Sequence, residues 1–215
     1  MTGGQIERSR KRLEQFLVDL LAPVGRSERR HWGGVYVRGL LLDGERKSIE
    51  PMAQRLPEGN VQVMQQFVGQ SPWDWEPVWD RLAKRMTAKL EPDAAWIVDD
   101  TGFPKQGTHS VGVERQYSGT LGTTGNCQVA VSLHHVGEQG STVLGWRLYL
   151  PESWATDEEQ RAEAGIPAEV AFKTKWQLAL EIIDQASRFC SCPALPGPAG
   201  FTRLQPDSGI RLKRK

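Results

Sequence analysis

Two adjacent carboxylates, Asp99 and Asp100, follow the apolar run Ala95–Val98 and lead into Thr101-Gly102-Phe103-Pro104-Lys105-Gln106-Gly107. Acid delivered at the exposed end of a buried strand offers oxygen ligands of the kind that suit Mg2+ or Mn2+. Neighbouring strand residues point to opposite faces, so only one of the two can face such an ion. An isolated Asp-Asp-Thr-Gly also suits a solvated turn, so the flanking residues must decide between the two. Lys105 sits in the same turn, and Arg115, Lys173 and Lys175 follow further along. Taken alone, such basic, glycine-rich segments are also ordinary loop composition, and Gly102 and Gly107 permit close approach to the backbone.

The remaining chemistry-bearing residues are less specific. His109, His134 and His135 show no ligand spacing to one another. Cys127 lies in an apolar run and reads as a small core residue. Cys190 and Cys192 have no partner His nearby, and three cysteines build neither a disulfide framework nor a four-ligand zinc site. The Trp73/Trp75/Trp79 cluster could stack on bases but reads as helical core.

Positioning such a site takes two kinds of element. Leu13, Phe16, Leu17, Leu20 and Leu21 mark an amphipathic helix, ended by Pro23 and Gly25. Further short helices follow: one capped by Ser48, one started by Asn60, and one opened by Ser71-Pro72 with Trp75, Val78, Trp79, Leu82 and Met86 at helical spacing. After Glu91-Pro92-Asp93 the period changes. Strands are expected at Ala95–Val98, Cys127–His134 and Thr142–Leu150, with a Gly-rich loop over 102–126. A long helix is expected from Pro167 or Ala168, carrying Val170, Ala171, Trp176, Leu178, Ala179, Ile182 and Ile183. The expected organisation is a flexible basic N-terminus (1–12), a helical domain (13–92), a mixed α/β domain (93–186) and a disordered or non-native tail (187–215). The fold class is α+β or α/β: helices first, then a three-strand antiparallel meander and a crossover helix.

Charge is distributed unevenly over a chain of net charge +1. Residues 1–55 hold 11 Lys/Arg against 7 Asp/Glu, residues 96–186 hold 6 against 12, and the last 29 hold 6 against 1. Basic flanks around an acidic middle fit DNA contacts on either side of a cation site. In the helical domain, Arg38, Arg46, Lys47 and Arg55 could follow a duplex, although no recognition-helix signature stands out. No run of 18 apolar residues and no signal-peptide core is present, so the sequence reads as cytosolic with no membrane partner.

Four blocks carry a family resemblance: Trp96–Gly107, Gly112–Thr120, Asn126–Ser132 and Val37–Ala53. Together they resemble insertion-sequence transposases of the DDE superfamily, in the branch with an Asp-Asp-Thr-Gly-Phe-Pro-Lys-x-Gly first motif. The resemblance runs from about residue 12 to about Gln185. It implies the first half of a ribonuclease-H-like core, with DNA cut and joined by attack at phosphorus on two Mg2+ or Mn2+ ions. It implies element terminal repeats as the DNA partner, with Lys105, Arg115, Lys173 and Lys175 on its phosphates, a nucleoid-associated location, and self-association or pairing with intact transposase. Relatives often show Asp-x-Thr at the first acid, which favours Asp99 as the metal-facing residue and leaves Asp100 in support.

Such relatives continue to a second catalytic Asp, in an Ala-Asp-Ala-Gly-Tyr-Gly-like motif, and then to a Glu. Asp207 has no apolar strand before it and is not assigned that role. The expectation is therefore a transposase truncated after about residue 186 and inactive as it stands. The alternative is a non-catalytic DNA-binding regulator or inhibitor of an intact transposase. A further reading, a metal-dependent hydrolase, needs Asp99, Asp100, Glu114 and His135 in one pocket.

Overall fold

The computed structural model describes residues 2–90 and 95–188. Cys190, Cys192, Asp207 and all but the first two residues of the 187–215 tail lie outside them. The fold is α+β, and the chain divides into two compact units, Met1–Leu82 and Ala83–Lys215.

The first unit is helical: α1 (Gly3–Leu21), α2 (Ser27–Leu41), α3 (Ile49–Arg55), α4 (Val61–Gly69) and the start of α5 (Glu76–Thr87). Residues 3–12 are helical here, where a flexible N-terminus was expected. The helix gains a start from Thr2, whose N–H donates to the Gln5 side chain at 2.8 Å. The Gln, Glu, Arg and Lys residues that follow are good helix formers, and none needs burial. Asn60 caps α4 by accepting from the Val63 N–H. One core joins Val35, Met52, Ala53 and Met64; another joins Leu21, Val24 and Phe67. Trp73 stacks on Phe67 at 5.2 Å, as the core reading expects, but Trp75 is exposed and touches Trp79 edge-on.

The second unit is built on β1 (Ala95–Pro104), β2 (Glu114–Ser118), β3 (Thr123–Gly137) and β4 (Gly140–Tyr149). Strand β3 pairs antiparallel with all three others: with β2 over 123–127, with β1 over 127–136 and with β4 over 129–137. The β1–β3–β4 meander matches the expected one, and two features depart from it. Strand β1 runs through both acids to Pro104, so Asp99 and Asp100 stand in mid-strand, opposite Ser132 and Val131, and not in a terminal turn. The expected 102–126 loop also contains β2, whose Glu-Arg-Gln-Tyr-Ser has no apolar alternation to betray it.

After β4 come two short helices that the sequence reading missed, α6 (Glu152–Thr156) and α7 (Glu158–Glu163), and then α8 (Lys175–Ala186). Helix α8 starts seven or eight residues later than its apolar register suggested. Its start is set by Thr174, whose N–H donates to Gln177 at 2.8 Å. Val170 and Phe172 precede the helix, and Trp176 is exposed, so none of the three fills the core. Leu178, Ala179, Ile182 and Ala186 do, against Trp96, Val98, Val131, Leu133 and Leu144.

Candidate active site around Asp99 and Asp100

Strand pairing sorts the two acids. Val98, Asp100 and Gly102 stand opposite Leu133, Val131 and Val129, on the sheet face that α8 covers. Ile97, Asp99 and Thr101 stand opposite His134, Ser132 and Ala130 on the other face. The two carboxylates are therefore not presented to one ion.

Asp100 has a partner from 75 residues away: Lys175 Nζ, at the first position of α8, lies 2.6 Å from its Oδ2. The same ammonium stands 5.5 Å from the ring centroid of Tyr149 on β4, within reach of a cation–π attraction. Burial pushes the Tyr149 phenol above its ordinary pKa, with Glu114 and Glu152 adding to the rise. Burial also raises the Cys127 thiol, against smaller lowering contributions from Lys175 and a Gln116 hydrogen bond.

Asp99 is held differently. Its Oδ1 accepts the Asp100 N–H at 2.9 Å, and its carbonyl accepts from Ser132 Oγ at 3.4 Å. Ser132 Oγ also lies 2.9 Å from His134 Nε2.

The candidate phosphate-binding cations are placed as follows. The backbones of Lys105 and Arg115 both flank Asn126, which stands opposite Arg115 in the β2–β3 pairing. The Asn126 carbonyl accepts from the Lys105 N–H, and its side chain donates to the carbonyls of Lys105 and Gly107, each at 2.9 Å. Lys173 pairs with Glu181 at 2.6 Å. In the helical unit Arg38 forks onto Glu14 at 2.6 and 3.2 Å. The Arg46 carbonyl accepts from Arg55, and Lys47 Nζ reaches the Leu42 carbonyl. Gly102 serves the protein's own packing: a Cβ there would lie 2.7 Å from Ser118 Cβ.

The four-residue hydrolase site does not form. Glu114 stands opposite Cys127, five residues along β3 from the partner of Asp99, which is roughly 17 Å at strand rise. His135 is buried and accepts the Trp96 indole N–H at 3.2 Å. Among the described residues no three His, Cys, Asp or Glu side chains gather as a metal-holding group. A small hard ion wants several oxygens around it, and the described residues bring one carboxylate to each candidate position at most. They do not complete a divalent-ion site.

Two signals for this geometry were present in the sequence and one was not. Thr174-x-x-Gln177 is a capping-box pattern that marks Lys175 as the first residue of a helix. Alternation along β1 separates the two acids. Nothing in the sequence pointed to Asn126 as the clamp on the 105–107 turn.

A family model described as DDE superfamily endonuclease matches residues 13–192, most of the chain and both structural units. The chain belongs to the DDE endonuclease superfamily. It is also 30% identical over 148 residues to a protein of Microchaete diplosiphon called a probable transposase for insertion sequence element IS701. That alignment takes in 68% of this chain and 36% of the relative, so the chain spans about a third of the length of the protein it resembles. No solved structure matches. Among the described residues no helix is long and apolar enough to cross a membrane.

Proposed function

We propose that this chain carries the helical and first-acid portion of an insertion-sequence transposase. The reaction class would be phosphoryl transfer in DNA strand cleavage and joining, at element terminal repeats, with Mg2+ or Mn2+ as the metal. Residues 13–92 would serve as the DNA-gripping domain and residues 93–186 as the opening half of a ribonuclease-H-like core. The observation that carries this reading is a mid-strand acid, Asp100, on the helix-covered face of a β1–β3–β4 meander, in a chain that matches the superfamily over residues 13–192.

We read Asp100, and not Asp99, as the metal-facing acid. It shares a face with α8 and already draws a cation there, whereas one oxygen of Asp99 is taken up by its neighbour's N–H. One carboxylate cannot anchor a two-ion site, so the 215 residues alone should be catalytically incompetent. The work would take place on DNA in the cytoplasm, at the nucleoid.

A second reading has its own support. The helical unit holds two apolar clusters of its own, so it can present Lys and Arg side chains without a working catalytic centre. On that reading the chain binds element-end DNA, or pairs with an intact transposase, and inhibits transposition.

One experiment tests both. The chain and its Asp99→Ala and Asp100→Ala forms are assayed for binding and Mn2+-dependent cleavage of terminal-repeat DNA. Salt-sensitive binding without cleavage in any form is the expected result. Cleavage that disappears in Asp100→Ala would show that the site is completed within the chain or its oligomer. Absence of binding would remove the DNA reading altogether.

A further inference from the structure

Lys175 was expected to contact phosphate, yet its ammonium is engaged inside the protein. A carboxylate lies at 2.6 Å on one side and the Tyr149 ring at 5.5 Å on another, and both attract a cation. The attachment point is fixed as well, because Thr174 and Gln177 set the first turn of α8 and Lys175 is its first residue. Lys173, two positions earlier, is drawn instead to Glu181.

We infer that Lys175 is a built-in counter-cation for Asp100: its ammonium holds the position a divalent ion would need, and keeps such ions off this carboxylate in the chain as it stands. The inference rests on reading Asp100 as the first acid. A metal oxygen bond of about 2.1 Å and an ammonium at hydrogen-bond distance cannot share the carboxylate without strong like-charge repulsion. Lys175 and Asp100 are each a little over one-third exposed, so the ammonium can swing into solvent. Lys175 is thus a positioning residue, which orients and neutralises the acid until a competing set of ligands draws an ion in.

The test is a Mn2+ titration of the full chain, read by paramagnetic broadening of backbone amide signals, with no DNA present. In Lys175→Met, signals of residues 98–102 should broaden at Mn2+ concentrations on the order of tenfold lower than in the unmodified chain. Lys175→Arg, which keeps the charge, should titrate like the unmodified chain. Lys173→Met, which removes an equal charge two residues away, should give a much smaller gain. Adding Asp100→Asn to Lys175→Met should abolish the gain.

Coincident titrations of the unmodified chain and Lys175→Met overturn the inference, as does a gain that survives Asp100→Asn. A gain lost with Asp99→Asn instead would overturn the choice of acid. Should Lys175→Met fail a thermal-unfolding check, Lys175→Gln replaces it under the same criteria. Because DNA is absent, failure of the transposase reading in the cleavage assay is a separate result.

Discussion

Gly145 of β4 lies directly beneath Ile182 of α8, so close that a Cβ on Gly145 would overlap Ile182 Cγ2. Ile182 is fully buried and β-branched, so it cannot rotate aside cheaply. Gly145→Ala should therefore cost about 1–3 kcal/mol through overpacking. Ile182→Ala should cost about 2–5 kcal/mol through the cavity it leaves. Urea unfolding of both single variants and the double should show strong non-additivity, because the second change relieves the clash made by the first. Additive losses would mean that the two positions do not press on each other.

The alkaline limb of stability should depend on Tyr149. Its pKa in the fold is raised above 10.0 by burial and by Glu114 and Glu152. The unfolded chain therefore releases this proton first as pH climbs, so stability is full below about pH 10 and falls above it. Cys127, raised from 9.0 by burial, acts with the same sign from about pH 9. Urea midpoints between pH 8 and 11 should fall less steeply in Tyr149→Phe, and less again with Cys127→Ala added. Parallel curves for all three proteins would refute the assignment.

The Arg38–Glu14 fork is geometrically good but lies at the surface, with side chains 32% and 48% exposed. A double-mutant cycle on Arg38→Ala and Glu14→Ala should give a coupling of no more than about 1 kcal/mol, shrinking with added salt. The more telling readout is DNA affinity. Glu14→Gln releases Arg38 and should strengthen binding if Arg38 contacts phosphate, while Arg38→Ala should weaken it.

The backbones of Lys105 and Arg115 both flank one asparagine, so the two residues should act on the same stretch of DNA backbone. Each alanine substitution should lower the slope of log affinity against log salt by about 1, with little dependence on sequence. Asn126→Ala should weaken binding with a smaller change of slope, since it releases the 105–107 turn without removing a charge. Unchanged slopes in both cation variants would take this region out of the DNA interface.

Much of the sheet was readable because its signals are local. Val129, Val131 and Leu133 share one face of β3, as their alternation predicts, and all three are buried; Ala130 and Ser132 on the other face are buried too, which the alternation does not declare. Leu178, Ala179 and Ile182 likewise keep helical register and fill the core. What stayed hidden depends on distant partners. Strand β1 continues past Val98 because β3 is long enough to pair with it down to Cys127, a length that no pattern within Asp-Asp-Thr-Gly-Phe-Pro declares. Gly102 looked like space for a ligand and is instead space for Ser118. Trp176 fits the apolar register of α8 yet sits on its outer side, because register fixes spacing and says nothing about where the stripe ends. At the site, sequence alternation separated Asp99 from Asp100, but only the folded chain shows which of them Lys175 reaches.

Strand β3 also sets an order in time. Its hairpin with β4 closes through Gly137 and Gly140, and its hairpin with β2 closes over a similarly short span, Ser118 to Thr123. Joining β1 means closing much longer loops, up to the separation of 41 positions from Ala95 to Val136. Short loops close faster, so the β2–β3–β4 ribbon should form first and the acid-bearing strand should dock last. Among the described residues β1, β2 and β4 each have β3 as their strand partner, so β3 alone is paired along both edges. Amide exchange should therefore find β3 keeping its protons longest, with Asp99 and Asp100 on one of the strands that open before it.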